Sequence, residues 1–513
     1  MRDKDLVIAA DFGTSGVRAA VYTRHLARRA LAKATYGLSF PGPGMAEQNP
    51  QHWWLALREI TAALIRDIPD LRERCAGIIF AAQMCTVIAV DEEGNPLRPA
   101  IIWLDKRSAP LIRRMAGPVW GPGLFGYDPI KLLRWVRMTN GAPALNGMDP
   151  PGKMRWIAEN EADIWRRTAK CLDMKDWLVH RATGRFTTTP DSANLTWMMD
   201  TRKGREAWSE SLMKMVGVPG TLLPNIINGN DVAGGLTARA ASELGLMEAT
   251  PVFGGAGDVS ASAYGSGATQ DGSLHLSLGT SSWLAGFFPS RRLNPAHAYA
   301  TILGPVGNRP LLIATQESAG SCFNWIANIT GRSIREVMNE ASQYSGTQSP
   351  PLFLPWLAGE RVPADDAHLR GGFLGLSIQH DGASLTRAVL EGVALNTRWA
   401  FESVARQKGF RHDASMSVVG GAAESDAFCQ MLADCLGHTL HTRPEPDLAG
   451  VRGAACIAAM GLGWEPQADH PGEEKRFHPS SPRHEYFNQR FREFRKAYAN
   501  NVKWFHERAK ADT

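Results

Sequence analysis

A short polar turn near the start of the chain constrains its fold more than any other stretch. The apolar run Leu6 to Ala10 leads into the segment Asp11 to Arg18, and a second apolar run, Ala19 to Tyr22, follows it. Because Gly13 and Gly16 allow the backbone conformations of a tight turn, this order predicts two antiparallel strands joined by that turn.

The composition of the turn is suited to binding an anion. Gly13, Thr14, Ser15 and Gly16 offer exposed backbone N–H groups and two hydroxyls, and Arg18 follows closely. A concave group of donors of this kind suits phosphate oxygens. The structural alternative stays open at this point, since many hairpins carry Gly-Thr-Ser turns without binding anything.

Asp11 stands at the end of the first predicted strand, directly before the turn. A carboxylate in that place could orient a hydrated Mg²⁺ beside a bound phosphate. The letters Asp-Phe-Gly that begin with Asp11 also occur in protein kinases. However, no Gly-rich loop precedes them and the chain has no His-Arg-Asp catalytic loop, which excludes that class.

The same pattern recurs in the second half of the chain. The stretch Leu274 to Leu284 is again an apolar run, then Gly279-Thr280-Ser281, then a second apolar run. Two such hairpins in separate halves predict a duplicated fold that holds one polyphosphate between its domains.

Length and composition set the outer limits of the interpretation. A chain of 513 residues should contain two or more domains, and we expect a domain of residues 1–247 followed by one of residues 248–513. A net charge of +5 is too small to indicate a nucleic-acid partner. Seven cysteines without a Cys-x-x-Cys pair, and no apolar run of membrane-spanning length, predict a cytoplasmic protein without a signal peptide or membrane contact.

Several predicted strands end in residues that can carry chemistry. Val252 to Asp258 runs from a strand into glycines and then a carboxylate, which the glycines leave sterically open. Gly77 to Ala82 is a buried strand that ends in Gln83-Met84-Cys85, and Ile101 to Arg107 is a further strand that includes Trp103 and Asp105. Ser415 to Val419 runs into Gly420-Gly421 and then a helix from about Ser425 to Leu436 that Gly437 ends, a possible nucleotide cradle.

Other local patterns predict the surrounding elements. Asn49 followed by Pro50 predicts the start of a helix. The block Lys153 to Thr183 is expected to be helical, Gly234-Gly235 to lie in a loop, and Glu485 to Lys510 to form a C-terminal amphipathic helix.

Taken together, these motifs resemble the FGGY family of carbohydrate kinases over nearly the whole chain. The first phosphate motif and the two family signatures are Asp11 to Arg18, Met148 to Asn160, and Gly372 to Gly392. Gly359-Glu360-Arg361-x-Pro363 and Gln430 to Gly437 are most similar to the xylulokinase branch.

The resemblance implies an α/β fold of two ribonuclease-H-like domains, as in the actin and hexokinase superfamily, with a cleft between them. It also implies ATP with Mg²⁺, a small sugar as acceptor, and a possible homodimer. For the xylulokinase branch the reaction is the conversion of D-xylulose to D-xylulose 5-phosphate.

The resemblance further assigns roles to single residues. Asp258 matches the catalytic base, and Asp11 with Asp258 matches the Mg²⁺ site. The positions implied for ATP are Thr14, Ser15, Arg18, Gly279, Thr280, Ser281, Gly320, Asn324, Gly420 and Gly421. The positions implied for the sugar are Gln83, Met84, Cys85, Trp103 and Asp105.

Three positions depart from the branch's pattern, of which the first two leave the acceptor open and the third leaves the adenine contacts open. Cys85 stands where xylulokinases usually carry His, Val259 where they carry Asn, and Ala422 to Ser425 where Gly and Lys are common. Unmet sugar hydroxyls are costly to bury, so the acceptor could be another ketopentose, a polyol or a sugar acid. Two further alternatives stay open: a non-enzymatic, actin-like ATP-binding switch, and a degenerate sugar-binding regulator.

Overall fold

The computed structural model describes residues 4–118, 123–344, 349–465 and 473–511. The chain divides into two compact units. The first comprises Met1–Gly265, Thr301–Leu311 and Gly450–Pro471. The second comprises Ser266–Ala300, Leu312–Ala449 and Gly472–Thr513. The expected domain division at residues 247 and 248 stays a prediction.

The first large sheet has seven strands and contains the predicted N-terminal hairpin. Leu6–Phe12 pairs antiparallel with Gly16–Thr23 and parallel with Cys75–Ala82. The strands run in the order Val232–Gly235, Pro251–Phe253, Cys75–Ala82, Leu6–Phe12, Gly16–Thr23 and Arg28–Thr35, with Ala256–Gly257 paired to Cys75–Ala82.

The second large sheet has eight strands and contains the second predicted hairpin. His275–Leu278 pairs antiparallel with Ser282–Phe287 and parallel with Met416–Val419. The strands run in the order Leu293–Asn294, Tyr299–Leu303, Pro310–Gln316, Ser282–Phe287, His275–Leu278, Met416–Val419, Leu440–Thr442 and Lys475–Phe477.

Both sheets repeat one arrangement: a hairpin whose first strand lies parallel to the next strand of the sheet. This repetition confirms the predicted duplicated α/β fold. Five smaller pairings complete the strands: Met199–Asp200 with Ala207–Trp208, Asn225–Ile226 with Thr187–Thr188, Leu352–Leu354 with Gly372–Leu374, Glu47–Gln48 with Ala100–Ile101, and Ile88–Val90 with Lys170–Leu172.

Helices connect many of these strands along the chain. Those in the earlier part of the chain are Pro50–Asp67, Leu71–Arg74, Ala109–Ala116, Pro129–Thr139, Pro150–Asn160, Ala162–Arg167, Met174–Thr183, Pro190–Leu195, Glu210–Val216, Ala238–Leu244 and Asp258–Gly265. The later ones are Gly320–Thr330, Ile334–Gln343, Gly382–Ala405, Asp426–Leu436, Ala449–Gly461 and Ser481–Ala511. Within the described ranges, no helix is both long and apolar enough to cross a membrane.

Most local predictions are confirmed. Asn49 caps the helix Pro50–Asp67 by accepting the backbone N–H of Gln51, and Gly437 ends the helix Asp426–Leu436 in a left-handed conformation. The C-terminal helix forms as expected, although it begins earlier than predicted.

Three local predictions are wrong. The block from Lys153 to Thr183 is interrupted, because Lys170–Leu172 pairs as a strand with Ile88–Val90. Gly234-Gly235 belongs to a strand that pairs with Pro251–Phe253, so tertiary pairing overrides the low strand propensity of glycine. The predicted strand from Ile101 to Arg107 ends at Ile101, and Trp103 lies in the turn that follows.

Candidate active site

Three parallel strands of the first sheet end at one edge and bring predicted site residues together. Ala81 pairs with Asp11 on one side and with Ala256 on the other. Because parallel strands end on the same side of a sheet, Asp11, Gln83 and Asp258 meet at this edge. The strands concerned are Leu6–Phe12, Cys75–Ala82 and Ala256–Gly257.

The first phosphate turn is held in place by side chains around Thr14. The Thr14 hydroxyl donates to Gln83 Oε1 at 3.2 Å and accepts the indole N–H of Trp103 at 3.0 Å. Gln48 Nε2 donates to the Thr14 carbonyl at 2.7 Å, and Gln83 Nε2 donates to Gln48 Oε1 at 2.9 Å. Gln48, which the sequence analysis missed, therefore fixes the turn together with Gln83.

The backbone of the turn is closed on itself. The Gly13 N–H donates to the Gly16 carbonyl at 2.9 Å, and the Tyr36 hydroxyl donates to both the Gly13 and the Gly16 carbonyls. Ser15 and Arg18 are exposed beside it. The turn thus keeps its donors at the surface, as the phosphate-binding prediction requires, and the binding roles themselves stay predictions.

The carboxylate of Asp11 has few compensating contacts. Its Oδ1 is sealed from solvent and has no hydrogen-bond partner among the described residues. Burial raises the pKa of Asp11 to about 6, and the positive charge of Arg18 only partly opposes this. A Cβ atom at Gly450 would lie 2.1 Å from Asp11 Oδ2, so only glycine lets the helix Ala449–Gly461 approach this carboxylate.

Asp258 begins the helix Asp258–Gly265, and its Oδ1 accepts the backbone N–H of Val259 at 2.8 Å. Burial raises the pKa of Asp258 to about 7, and the negative charges of Asp11 and Asp173 add to this. Two partly desolvated carboxylates that disfavour each other's ionisation would be relieved by a cation or a proton.

This pair fits a weakly held Mg²⁺. In the described part of the chain, no group of three or more His, Cys, Asp or Glu residues could hold a metal ion. Mg²⁺ commonly keeps several waters and takes only one or two protein carboxylates. Asp11, whose buried Oδ1 has no hydrogen-bond partner among the described residues, and its neighbour Asp258 supply the two carboxylates.

A third carboxylate, missed by the sequence analysis, positions Asp258. Asp191 is fully buried, and its Oδ2 accepts the backbone N–H of Gly257 at 2.8 Å. Its Oδ1 accepts the backbone N–H of Ser192 at 3.0 Å and the hydroxyl of Thr189. The Thr-Pro-Asp sequence that begins with Thr189 predicts only the start of a helix. The hydrogen bond to Gly257 can be seen only in the tertiary structure.

The predicted sugar positions follow the strand Cys75–Ala82. Gln83 and Met84 are buried, whereas Cys85 is half-buried and has a left-handed backbone with φ of 63°. Lys153 Nζ donates to the carbonyls of Cys85 at 2.7 Å and of Ile102 at 2.8 Å. Burial lowers the pKa of Lys153 to about 8.

Further carboxylates surround Cys85. The thiol donates to Asp149 Oδ1 at 3.9 Å, while Asp149 Oδ2 accepts the indole N–H of Trp197 and the backbone N–H of Ala144, both at 2.7 Å. Asp173 accepts the backbone N–H of Thr86, the residue after Cys85, at 3.1 Å. Burial raises the pKa of Asp173 to about 6. Asp149 lies inside the signature quoted above, where its position beside Pro150 predicts only a helix cap.

Asp105 differs from the other predicted sugar positions. It is fully buried, and its carboxylate accepts the backbone N–H of Ala46 at 2.6 Å and the guanidinium of Arg107 at 2.8–3.0 Å. Its oxygens are thus engaged within the protein, and a role in binding sugar stays a prediction.

In the second unit, the predicted phosphate loop lies against the start of a helix. Gly279 donates its N–H to the Ser281 carbonyl at 3.0 Å, and Thr280 is exposed. Gly320, the first residue of the helix Gly320–Thr330, donates to the Gly279 carbonyl at 2.9 Å. A Cβ at Gly320 would lie 2.3 Å from that carbonyl oxygen, so this close contact requires glycine.

The remaining predicted nucleotide positions lie near this loop. Gly420 and Gly421 follow Met416–Val419, the parallel neighbour of the strand that ends at Leu278. The Gly420 N–H donates to the Pro446 carbonyl at 2.8 Å, and Gly421 is exposed. Asn324 is exposed on the helix that begins at Gly320.

Comparison with known proteins identifies the class to which this fold and site belong. Residues 6–265 match the N-terminal domain, and residues 274–462 the C-terminal domain, of the FGGY family of carbohydrate kinases. The chain therefore belongs to the FGGY family of carbohydrate kinases. As a member of that family, it is an enzyme whose substrates are ATP and a sugar.

The similar proteins include several xylulose kinases. The xylulose kinase of Escherichia coli K12 is 30% identical over 511 residues, which cover 95% of this chain and 99% of that protein. The xylulose kinase of Klebsiella pneumoniae is 30% identical over 478 residues, covering 91% and 92%. The crystal structure of a kinase from Brucella ovis, described as a xyloylose kinase, has a TM-score of 0.83 at 28% identity and covers 97% of this chain and 100% of that one.

Proposed function

We propose that this enzyme transfers the γ-phosphoryl group of ATP to a hydroxyl of a small neutral ketose, with D-xylulose as the first candidate. The observation that carries the proposal is the meeting of Asp11, Asp258 and the donor-rich turn at one sheet edge. The xylulose kinases of similar sequence support the choice of acceptor.

Asp258 serves as the general base. Its pKa of about 7 leaves a substantial fraction ionised at neutral pH, yet makes it more basic than an ordinary carboxylate. As the acceptor oxygen bonds to phosphorus, its proton passes to Asp258, the bond from the γ-phosphorus to the bridging oxygen breaks, and ADP departs. Thr14 and Arg18 in the first turn, and Thr280 in the second loop, position the phosphates.

Asp11 and Asp258 would hold Mg²⁺ when it is bound. The ion would neutralise charge on the β- and γ-phosphates. Asp11 Oδ1, which is buried and lacks a hydrogen-bond partner in the described ranges, would gain an interaction from the ion or one of its waters.

The electrostatics around Cys85 favour a neutral acceptor over a sugar acid. Burial is the main cause that raises the pKa of the Cys85 thiol, the negative charges of Asp149, Asp173 and Asp258 raise it further, and the positive charge of Lys153 opposes them. A carboxylate on the acceptor would meet the same repulsion in a partly desolvated site. The proposal therefore excludes aldonates as the principal substrates.

We also propose a cytoplasmic location and a homodimer. The first is supported by the seven cysteines, none of which forms a disulfide. The second rests on the family resemblance, and light scattering of the purified protein measures it directly.

The test is ADP release with Mg²⁺ and ATP across D-xylulose, D- and L-ribulose, D-gluconate, L-fuculose, erythritol and glycerol, with a control lacking acceptor. We expect D-xylulose to stimulate most strongly and D-gluconate little. If another neutral acceptor is preferred, the proposed kinase activity would stand and that acceptor would replace D-xylulose as the proposed substrate. If the protein binds ATP but no acceptor stimulates ADP release, the proposed phosphoryl transfer would be contradicted and an ATP-binding switch favoured.

Asp258→Asn, measured in the same assay, tests the base. Removal of a general base typically lowers a rate by about 10²–10⁴-fold. We expect a loss of this size in kcat while binding of ADP without Mg²⁺ is retained. Asp67→Asn is the matched control, because Asp67 is an exposed aspartate on the helix Pro50–Asp67, and it should behave as wild type.

A further inference from the structure

Glu360 belongs to the Gly-Glu-Arg motif that begins at Gly359, to which the proposed mechanism gives no role. Its side chain is only 3% exposed. No lysine or arginine forms an ion pair with it among the described residues, although Arg361 is the next residue. A buried carboxylate without a cation is unfavourable unless backbone or side-chain donors compensate for its lost hydration.

Three donors converge on this carboxylate. Glu360 Oε1 accepts the backbone N–H groups of Glu317 at 2.7 Å and of Arg361 at 2.8 Å. Its Oε2 accepts Asn396 Nδ2 at 2.5 Å. Asn396 Oδ1 in turn accepts the indole N–H of Trp356 at 3.1 Å, which fixes the orientation of the amide. Burial nevertheless raises the pKa of Glu360 to about 7.

The donor from Glu317 belongs to a segment that supports the second phosphate loop. Immediately before it, Gln316 Oε1 accepts the hydroxyl of Ser282 at 3.0 Å. A few residues later, Gly320 donates its N–H to the Gly279 carbonyl at 2.9 Å, and Ser321 donates to the Thr280 carbonyl at 3.0 Å. The segment from Gln316 to Ser321 therefore connects Glu360 directly to the backbone of the loop.

An ion pair strengthens the same connection. Arg361 Nε lies 2.5 Å from Glu317 Oε2. The two neighbouring residues of the motif, Glu360 and Arg361, thus bind the backbone and the side chain of one residue, Glu317. Apolar packing could stabilise this core at least as well as a buried charge, but it could not hold a backbone N–H in a defined place.

We propose that Glu360 is a positioning residue for nucleotide binding, because it fixes the segment on which the loop Gly279 to Ser281 rests. The inference rests on the proposed role of that loop in holding phosphates. It extends the proposed function by adding a buried residue that touches neither ATP nor the acceptor.

Glu360→Gln is the first test, since it keeps the size of the side chain. The new amide places an N–H group against Asn396 Nδ2, so one donor loses its acceptor. In the free enzyme the segment shifts to relieve this unmet donor, and MgADP binding has to reverse the shift, which we expect to weaken binding about tenfold. We expect the Kd for MgADP, measured by calorimetry without acceptor, to rise about tenfold, while the KM for the acceptor stays unchanged.

Combining Glu360→Gln with Asn396→Asp restores the pattern of donors and acceptors. The amide at position 360 then donates to the carboxylate at position 396, whose other oxygen still accepts the Trp356 indole. We expect the double variant to regain most of the affinity for MgADP. Glu402→Gln is the matched control, because Glu402 lies on the same helix as Asn396 and contacts Arg398 near the surface.

The Kd for MgADP, the KM for the acceptor and the Tm distinguish a role of Glu360 in nucleotide binding from a purely structural role. They also test that role independently of the proposed function. A lower Tm with unchanged MgADP affinity would overturn it, as would equal losses in nucleotide and acceptor parameters. Failure of the double variant to recover affinity would overturn it as well. Since MgADP binding needs no acceptor, a wild-type enzyme inactive on every sugar would contradict the proposed function without deciding this one.

Discussion

Asp11 and Asp258 show how single residues at this site are shaped by what surrounds them. Neither carboxylate has a basic residue as a hydrogen-bond partner in the described ranges, and burial raises the pKa of both. Asp191 orders the backbone before Asp258, while Gly450 leaves space beside Asp11. The carboxylates with proposed roles in the reaction are thus desolvated at the expense of stability, as is common in active sites.

The raised pKa of Asp258 predicts a pH-dependent stability difference. Its pKa rises from 3.8 to about 7 on folding, so the folded state favours the protonated carboxyl, and the wild type loses stability as pH rises between these values. Asn cannot ionise. Without Mg²⁺ at pH 8, we expect Asp258→Asn to have a higher Tm than wild type and a free energy of unfolding greater by at most about 4 kcal/mol. At pH 5 we expect both differences to be smaller. Equal differences at the two pH values would contradict this.

Asp149 provides a test of acceptor charge. The Trp197 indole N–H and the Ala144 backbone N–H donate to Oδ2, and the Cys85 thiol donates to Oδ1. Asn can keep its oxygen in the Oδ2 position and so retain the bonds from Trp197 and Ala144. Loss of one negative charge should raise kcat/KM for D-gluconate relative to D-xylulose by about tenfold. An unchanged ratio, with the Tm of wild type, would show that this carboxylate does not sense the acceptor.

At the scale of elements, two glycines let the helix Ala449–Gly461 pack closely against its neighbours. A Cβ at Gly453 would lie 1.7 Å from the Ala261 carbonyl oxygen, and one at Gly450 would lie 2.1 Å from Asp11 Oδ2. These glycines let the helix approach both the helix that begins at Asp258 and the first phosphate motif.

Gly450→Ala tests the importance of this approach. In an open helical position Ala stabilises a protein by about 1 kcal/mol relative to Gly. Here we expect the opposite, a lower Tm and a loss of kcat, because the new methyl group displaces the Asp11 carboxylate. Gly382→Ala is the control, since nothing lies within 4 Å of a Cβ at that helix start. A Gly450→Ala enzyme as active and stable as wild type would show that the helix shifts freely.

At the scale of the whole molecule, each unit has its own hydrophobic core. The cluster that includes Trp53, Phe80 and Trp177 lies in the first unit, and the cluster that includes Phe323 and Trp356 in the second. The proposed acceptor positions all belong to the first unit, whereas Gly320, Asn324 and Gly420 all belong to the second.

This separation predicts which unit each ligand stabilises. A ligand at 100 times its Kd adds about 2.7 kcal/mol to the stability of the state it binds. In calorimetric scans, we expect MgADP alone to raise the transition of the second unit more than that of the first, and D-xylulose alone to raise that of the first. Limited proteolysis with mass spectrometry assigns the transitions. Protection of the first unit alone by MgADP would contradict the assigned nucleotide positions.

The sequence by itself determined the elements whose cause is local. The two hairpins, the helix caps at Asn49 and Gly437, and the glycines before Asp258 follow from turn chemistry and apolar runs, and the structure contains them all. The motifs also indicated the family, because they are ordered along the chain and each serves a local turn or strand end.

Only the tertiary structure decided which distant residues meet. The polar residues after Ile101 form a turn because Asp105 binds the backbone of Ala46, far away in the sequence. Asp191 forms a hydrogen bond with Gly257, and Glu360 forms hydrogen bonds with Glu317 and Asn396. The spacing of these residues in the sequence does not predict any of these bonds. Buried polar groups need hydrogen-bond partners, and the fold decides which groups lie close enough to serve. The pattern of residues along the chain does not show which partner each group takes.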